Sequence, residues 1–149
     1  MTRKKILLTF LAVFLGVGFA GSAWAETRIS ITVKTVLASR DATFLDPRIP
    51  DLTRKLQSVF RYSSYRLLSE DTLKLEMGQT GKVSLPGDRV LKITPLRIIE
   101  DRVELRMLIL KKKKQVIKST IQILNRGSIV VGGPEYKGGF LLFDISNAF

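Results

Sequence analysis

The chain has 149 residues, 25 of them Lys or Arg against 13 Asp or Glu, for a formal net charge of +12, and it contains neither histidine nor cysteine. Those two absences exclude imidazole bases, thiolate nucleophiles, disulfides and zinc sites built on Cys or His. A chain of this length supports one domain around one core.

Met1 to Lys5 is a short cationic start, Ile6 to Ala20 is apolar and uncharged, and Ala23-Trp24-Ala25 is a small-x-small end just before Glu26. These are the three parts of a secretory signal peptide. The apolar run is interrupted by Gly16 and Gly18 and is short for a membrane span of about 20 residues. The expected organisation is a cleaved signal over 1–25 and a single domain over 26–149. Without Arg3, Lys4 and Lys5 that domain carries 22 cationic against 13 acidic side chains, a net +9. No cysteine stands near the cleavage point, so a lipoprotein anchor is excluded. The expected destination is the periplasm or another exported compartment, with the outer membrane as the alternative.

Residues Ile29, Ile31, Val33, Thr35 and Leu37 alternate with Arg28, Ser30, Thr32, Lys34 and Val36, the period of two of a half-buried strand. Asp46-Pro47 and Pro50-Asp51 offer helix starts, and Leu52, Leu56, Val59 and Phe60 follow at helical spacing, which predicts one amphipathic helix over Pro50 to Tyr62. From Tyr65 onward the pattern is short strands and turns. Tyr65 to Leu68 leads into Leu73, Leu75 and Met77, and Val83 and Leu85 run into the tight turn Pro86-Gly87-Asp88. Val90 to Leu96 reads as a strand closing at Pro95, which cannot donate to a ladder. Glu100-Asp101 turns the chain into a strand through Val103, Leu105, Met107 and Ile109, Lys111 to Lys114 form the next turn, and Ile117, Ile121 and Ile123 return. Asn125-Arg126-Gly127 predicts a hairpin turn into Ser128 to Val131, followed by a loop from Gly132 to Gly139 and a last strand carrying Leu141, Phe143 and Ile145. Connections this short favour antiparallel neighbours. The fold class is therefore α+β: one helix packed on a mainly antiparallel sheet of successive hairpins, curled into a sandwich or partial barrel.

Three segments carry the candidate chemistry. Lys111, Lys112, Lys113 and Lys114, flanked by Arg106 and Lys118, can hold a polyanion, or can simply keep a hairpin tip soluble and unpaired. Gly132, Gly133, Gly138 and Gly139 bracket Glu135, Tyr136 and Lys137, either as a binding loop whose backbone approaches an anion or partner, or as a wide hairpin turn. Gly78 to Ser84 has two residues rather than four between its glycines and Val83 after Lys82, so it fails the phosphate-loop motif and reads as a turn. The carboxylates fall mostly at turns, as Glu70-Asp71, Asp88 and Glu100-Asp101, and Ser63 and Ser64 have no histidine to activate them. No catalytic residue, metal site or cofactor is indicated, and no enzyme activity is expected.

Leu91-Lys92-Ile93-Thr94-Pro95, Arg102-Val103-Glu104-Leu105, Ser119-Thr120-Ile121 and Asn125 to Gly133 follow an order that resembles the C-terminal domain of bacterial outer-membrane secretins. The resemblance covers residues 89–133. It departs at Pro134, where secretins continue with an apolar residue, and in the long N-terminal ring domains that are missing here. It implies a β module of the cell envelope and does not imply a pore.

Two functions of different class fit these features. The first is an exported, non-enzymatic interaction or assembly module that meets an envelope protein or an anionic surface, such as lipid or lipopolysaccharide phosphates, through Lys111 to Lys114 and the Gly132 to Gly139 segment. Nucleic acid is not an expected partner, because the export signal takes the chain away from it, and a homo-oligomer is open. The second is a small outer-membrane β-barrel, suggested by Leu141, Phe143 and Ile145 in register with a terminal Phe149. A periplasmic carrier or hydrolase holding a small ligand between helix and sheet is a further alternative.

Overall fold

The computed structural model describes residues 26–149; the expected signal peptide, residues 1–25, lies outside them. Among the described residues nine strands and one helix run in the order β1 (Ile29–Ser39), β2 (Phe44–Leu45), α1 (Pro50–Val59), β3 (Ser64–Leu75), β4 (Gly81–Leu85), β5 (Arg89–Ile99), β6 (Arg102–Lys111), β7 (Lys114–Leu124), β8 (Ser128–Tyr136) and β9 (Gly139–Ala148). They form a five-stranded sheet ordered β2-β3-β1-β9-β8 and a four-stranded sheet ordered β4-β5-β6-β7. The fold is an α+β sandwich, antiparallel except for the short β2–β3 pairing.

The alternating residues explain the layers. Ile29, Ile31 and Val33 of β1 and Leu141, Phe143 and Ile145 of β9 meet Val83, Leu91, Ile93, Val103, Leu105, Met107 and Ile109 of the second sheet in one buried core. On the other face of the five-stranded sheet, Val36, Ala38, Tyr65 and Leu142 receive Ile49, Leu52 and Leu56 from α1 and its N-terminal flank, making a second core and a third layer. Two apolar faces turned toward each other are the reverse of a membrane-spanning barrel, which closes a single sheet and turns its apolar face outward.

Successive hairpins hold for β4–β5, β5–β6, β6–β7 and β8–β9. They fail at two places. After β3 and after β7 the chain changes sheet, and β1 lies between β3 and β9, a pairing of the two ends of the domain. Asn125-Arg126-Gly127 is thus a crossing between sheets rather than a hairpin turn, with Arg126 at φ 60° and the Gly127 N–H donating to Leu124 O at 2.8 Å.

Two element ends also differ from expectation. α1 stops at Val59 because Phe60 turns extended and Tyr65 pins residues 60–62: the Tyr65 hydroxyl donates to Phe60 O at 3.0 Å and accepts from Tyr62 N–H at 3.4 Å. β5 continues through Pro95 to Ile99 instead of closing there. Its neighbour β4 has already ended opposite Ile93, so the missing N–H costs no ladder bond on that side, and a bulge between Pro95 and Arg97 absorbs the irregularity.

The corner between β2 and α1 is held by one carboxylate. Asp46, buried, accepts from Arg48 Nη2 at 2.6 Å, Arg48 Nε at 2.9 Å, Arg48 N–H at 3.0 Å and Leu67 N–H at 3.0 Å. The Arg48 side chain, opposed by burial and helped by the two backbone N–H groups, holds this carboxyl well below the usual carboxylate range. A pKa lowered by folding stabilises the native state above the unfolded value of about 4, and that contribution is lost as the pH falls below it. Asp46→Asn is therefore expected to lower the melting temperature at pH 7, with the gap to the parent narrowing below about pH 4, as thermal unfolding followed by circular dichroism would read. A gap that stays constant down to pH 2 would remove this assignment.

Candidate functional site

The Lys111–Lys114 segment is a two-residue hairpin turn. Lys111 pairs with Lys114, and Lys112 and Lys113 have φ of 49° and 64°. Positive φ at both central positions is the pattern of a type I′ turn, which ordinarily selects Asn-Gly. Two lysines here sit in a conformation their side chains disfavour and gain no hydrophobic burial from it, all four lysines being exposed.

The segment from Gly132 to Gly139 is not a loop. β8 runs through Gly132, Gly133 and Pro134 to Tyr136, with a bulge between Gly132 and Glu135, and the turn itself is only Lys137 and Gly138 at φ 45° and 73°. Gly133 is small because a Cβ there would stand 2.5 Å from the Phe143 ring and 2.8 Å from Leu141 O. Gly139 opens β9, where a Cβ would stand 2.3 Å from Ala38 O. Close packing, rather than a backbone cradle for an anion, explains these two glycines. Glu135, Tyr136 and Lys137 remain at the tip, with Glu135 and Lys137 exposed and Tyr136 packed on the rim of the core.

The two segments share one end of the sandwich, and the β4–β5 turn joins them. Lys112 N–H donates to Asp88 O at 3.2 Å, and Arg89 Nη2 donates to Glu135 O at 3.0 Å. Beside this end lies a feature that only the register exposes. On the outer face of the four-stranded sheet Lys82 of β4 stands directly opposite Lys92 of β5, and the same row continues through Leu108 to Lys118 of β7. The next row toward the far end is Thr94, Arg106 and Thr120. Among the described residues none of Lys82, Lys92, Arg106 or Lys118 forms an ion pair, while the outward Glu104 is engaged by Arg97 at 3.2 Å and by Gln122 at 3.1 Å. Gln122 and then Arg97 hold the Glu104 carboxyl below its ordinary value, so it stays charged and occupied.

An open groove of about 860 Å³ runs over this surface, with Val90 and Leu110 as apolar floor and Lys82, Lys92, Lys112 and Lys113 around it. Arg89 lines the same groove, and its Nε is buried with no hydrogen-bond partner among the described residues. Asp88 is the acidic exception there. Chemically, cations beside a strip of apolar surface can pair with anionic oxygens while the apolar strip covers an attached apolar group. By contrast, the outer face of the five-stranded sheet is charge-balanced, with Lys34 opposite both Glu70 and Asp144, and Lys55 bonded to Asp144 at 2.9 Å. The space between helix and sheet, where a small-ligand carrier or hydrolase would hold its ligand, is filled by Ile49, Leu52 and Leu56.

Lys82 and Lys92 are not distinguished by sequence alone. Each is a single cation within a strand, in Gly81-Lys82-Val83 and in Leu91-Lys92-Ile93, and only strand pairing sets one beside the other. No family model, no curated protein and no solved structure matches this chain.

Proposed function

We propose that the protein is an exported, non-enzymatic module of the bacterial cell envelope that docks on phosphate headgroups of an anionic lipid surface through the outer face of its four-stranded sheet. The observation that carries this reading is the row Lys82–Lys92–Lys118. Like charges directly opposite on neighbouring strands destabilise a sheet, and the row contains no acidic residue to offset them. Protection of sheet edges accounts for Lys82 and Lys118, which lie on β4 and β7, but not for Lys92, which lies on a strand flanked on both sides. The Lys111–Lys114 tip and Arg89 extend the same field to the end of the sandwich. The export pattern of residues 1–25 and the secretin-like order of residues 89–133 support the envelope as the setting.

Co-sedimentation with vesicles tests the reading. The chain starting at Glu26 is expected to bind phosphatidylglycerol-containing vesicles and to leave pure phosphatidylcholine vesicles in the supernatant. Raising the ionic strength from about 0.01 M to about 0.15 M shrinks the screening length from roughly 30 Å to roughly 8 Å and should release most of the bound protein. Equal binding to both vesicle types, or binding indifferent to salt, would sink it. Fractionation of cells making the full chain, with N-terminal sequencing of the product, is expected to give a chain beginning at Glu26.

A further inference from the structure

The two sheets end on β2, β8, β4 and β7. Because β2 pairs only with Ser64 and Tyr65, and β4 reaches β5 only as far as Ile93, the rest of β3 and the end of β5 are edges as well, and among the described residues every edge but β7 is blunted. The free stretch of β3 carries Arg66, Glu70, Asp71 and Lys74 and a register shift at Leu68, and the end of β5 carries Pro95, Arg97 and a bulge. β2 has two residues, β4 has five, and β8 is interrupted by its bulge at Gly133 and by Pro134, which has no N–H to offer. Short strands, bulges and prolines are the devices that keep an edge from pairing. β7 has eleven residues, no proline and no glycine, and from Ile117 to Leu124 it keeps an unbroken register with β6. Lys118 is the single charge in that stretch. Ile117 and Ile121 face the core but stay only half-buried because no strand lies beyond them, and Ile129 and Val131 of β8 are half-buried beside them at the rim of the same core. One side of the sandwich is thus open along a regular edge that carries a single charge from Ile117 to Leu124.

We propose that β7 pairs antiparallel with β7 of a second copy about a two-fold axis at Thr120, joining two four-stranded sheets into one of eight strands. The sequence of β7 is complementary to itself in that register. An isologous antiparallel pair keeps side chains on matching faces only when the paired numbers sum to an even value. About Thr120, Ile117 meets Ile123, Ser119 meets Ile121, Lys118 meets Gln122, and Thr120 meets its own copy. Every inward pair contains at least one isoleucine, the threonine pair is a favourable one, and no two lysines oppose each other. A pairing centred on Lys118 sets that charge against itself. One centred on Ser119 extends into the irregular part of the strand, where the register with β6 shifts next to Val116. One centred on Ile121 leaves Ile117 outside the ladder and puts Lys118 on Leu124. The proposal is independent of the lipid-surface reading, although the joined sheet would carry two copies of the cationic row on one face.

The test uses the chain starting at Glu26. Sedimentation velocity over a concentration series is expected to show a reversible dimer. Thr120→Lys, at an exposed outward position, should weaken it roughly five- to tenfold by opposing two like charges at the axis. The chain has no cysteine, so Thr120→Cys is a single-thiol probe: mild oxidation should link it to its own copy, whereas Lys82→Cys on the opposite edge should link far more slowly. A monomer at every soluble concentration, or equal linking of the two cysteine variants, overturns the proposal. So does protection of β7 amides from hydrogen exchange only when a different protein is added, which would identify that protein's extended segment as the occupant.

Discussion

The Lys82→Gln, Lys92→Gln double variant should bind anionic vesicles about thirtyfold more weakly at low ionic strength than the parent, and should at the same time be slightly more stable. Each lysine near an anionic surface contributes about 1 kcal/mol, and about 2 kcal/mol is a factor of roughly thirty in the binding constant. The stability change has the opposite sign because the two ammonium groups oppose each other across β4 and β5, and relieving a like-charge cross-strand pair returns a few tenths of a kcal/mol up to about 1 kcal/mol. Both side chains are on the outer face, Lys82 exposed and Lys92 half-buried, so the substitution leaves the core packing in place. A solubility device predicts a different pair of outcomes: unchanged vesicle binding together with loss of solubility. Lys34→Gln is the matched control. It removes one lysine from the other sheet, where Glu70 and Asp144 face it, so vesicle binding should hold while stability falls.

How far the sequence discloses this protein depends on the range of each interaction. Alternation within a strand is local, and it correctly marks β1, β6 and β9 and the inward set Ile31, Val33, Val103, Leu105, Met107, Leu141 and Phe143. The tight turns Pro86-Gly87-Asp88 and Glu100-Asp101 are local too, and both join neighbouring strands of one sheet. What is not local is the partner of a strand. The pairing of β1 with β9 joins positions more than a hundred residues apart, and nothing in Asn125-Arg126-Gly127 distinguishes a hairpin from a step between sheets. The candidate site inherits the same division. Lys111 to Lys114 are visible as a run, whereas Lys82 and Lys92 become neighbours only once β4 and β5 pair. Glycine is ambiguous for a related reason: it marks a turn through its own backbone, but it marks close packing through residues far away in the chain, as Phe143 and Ala38 are for Gly133 and Gly139.

That ambiguity separates four glycines that look alike in sequence, and alanine at each should give four different results. Gly139→Ala is expected to be the worst, at about 3 kcal/mol or more, since the new methyl would lie 2.3 Å from Ala38 O and 3.2 Å from Ala38 C, backbone atoms that belong to the β1–β9 ladder and cannot rotate away. On a domain of this size that corresponds to a fall in melting temperature of roughly 10 °C or more. Gly133→Ala should come next at about 2–3 kcal/mol: the Phe143 ring can shift by a fraction of an ångström, but Leu141 O at 2.8 Å is backbone. Gly138→Ala should cost about 1–2 kcal/mol through its φ of 73° rather than through packing. Gly132 has open space around its Cβ direction and lies on an exposed strand position, so Gly132→Ala should be neutral or stabilising by up to about 1 kcal/mol. Thermal unfolding of the four variants, read with vesicle binding of each folded one, decides between packing and recognition. If the order of stability loss is as stated and Gly132→Ala and Gly138→Ala bind vesicles like the parent, these glycines serve the joint between β8, β9 and β1, and recognition belongs to the lysine row. Lost binding in a fully stable Gly132→Ala variant would return the segment to the binding surface.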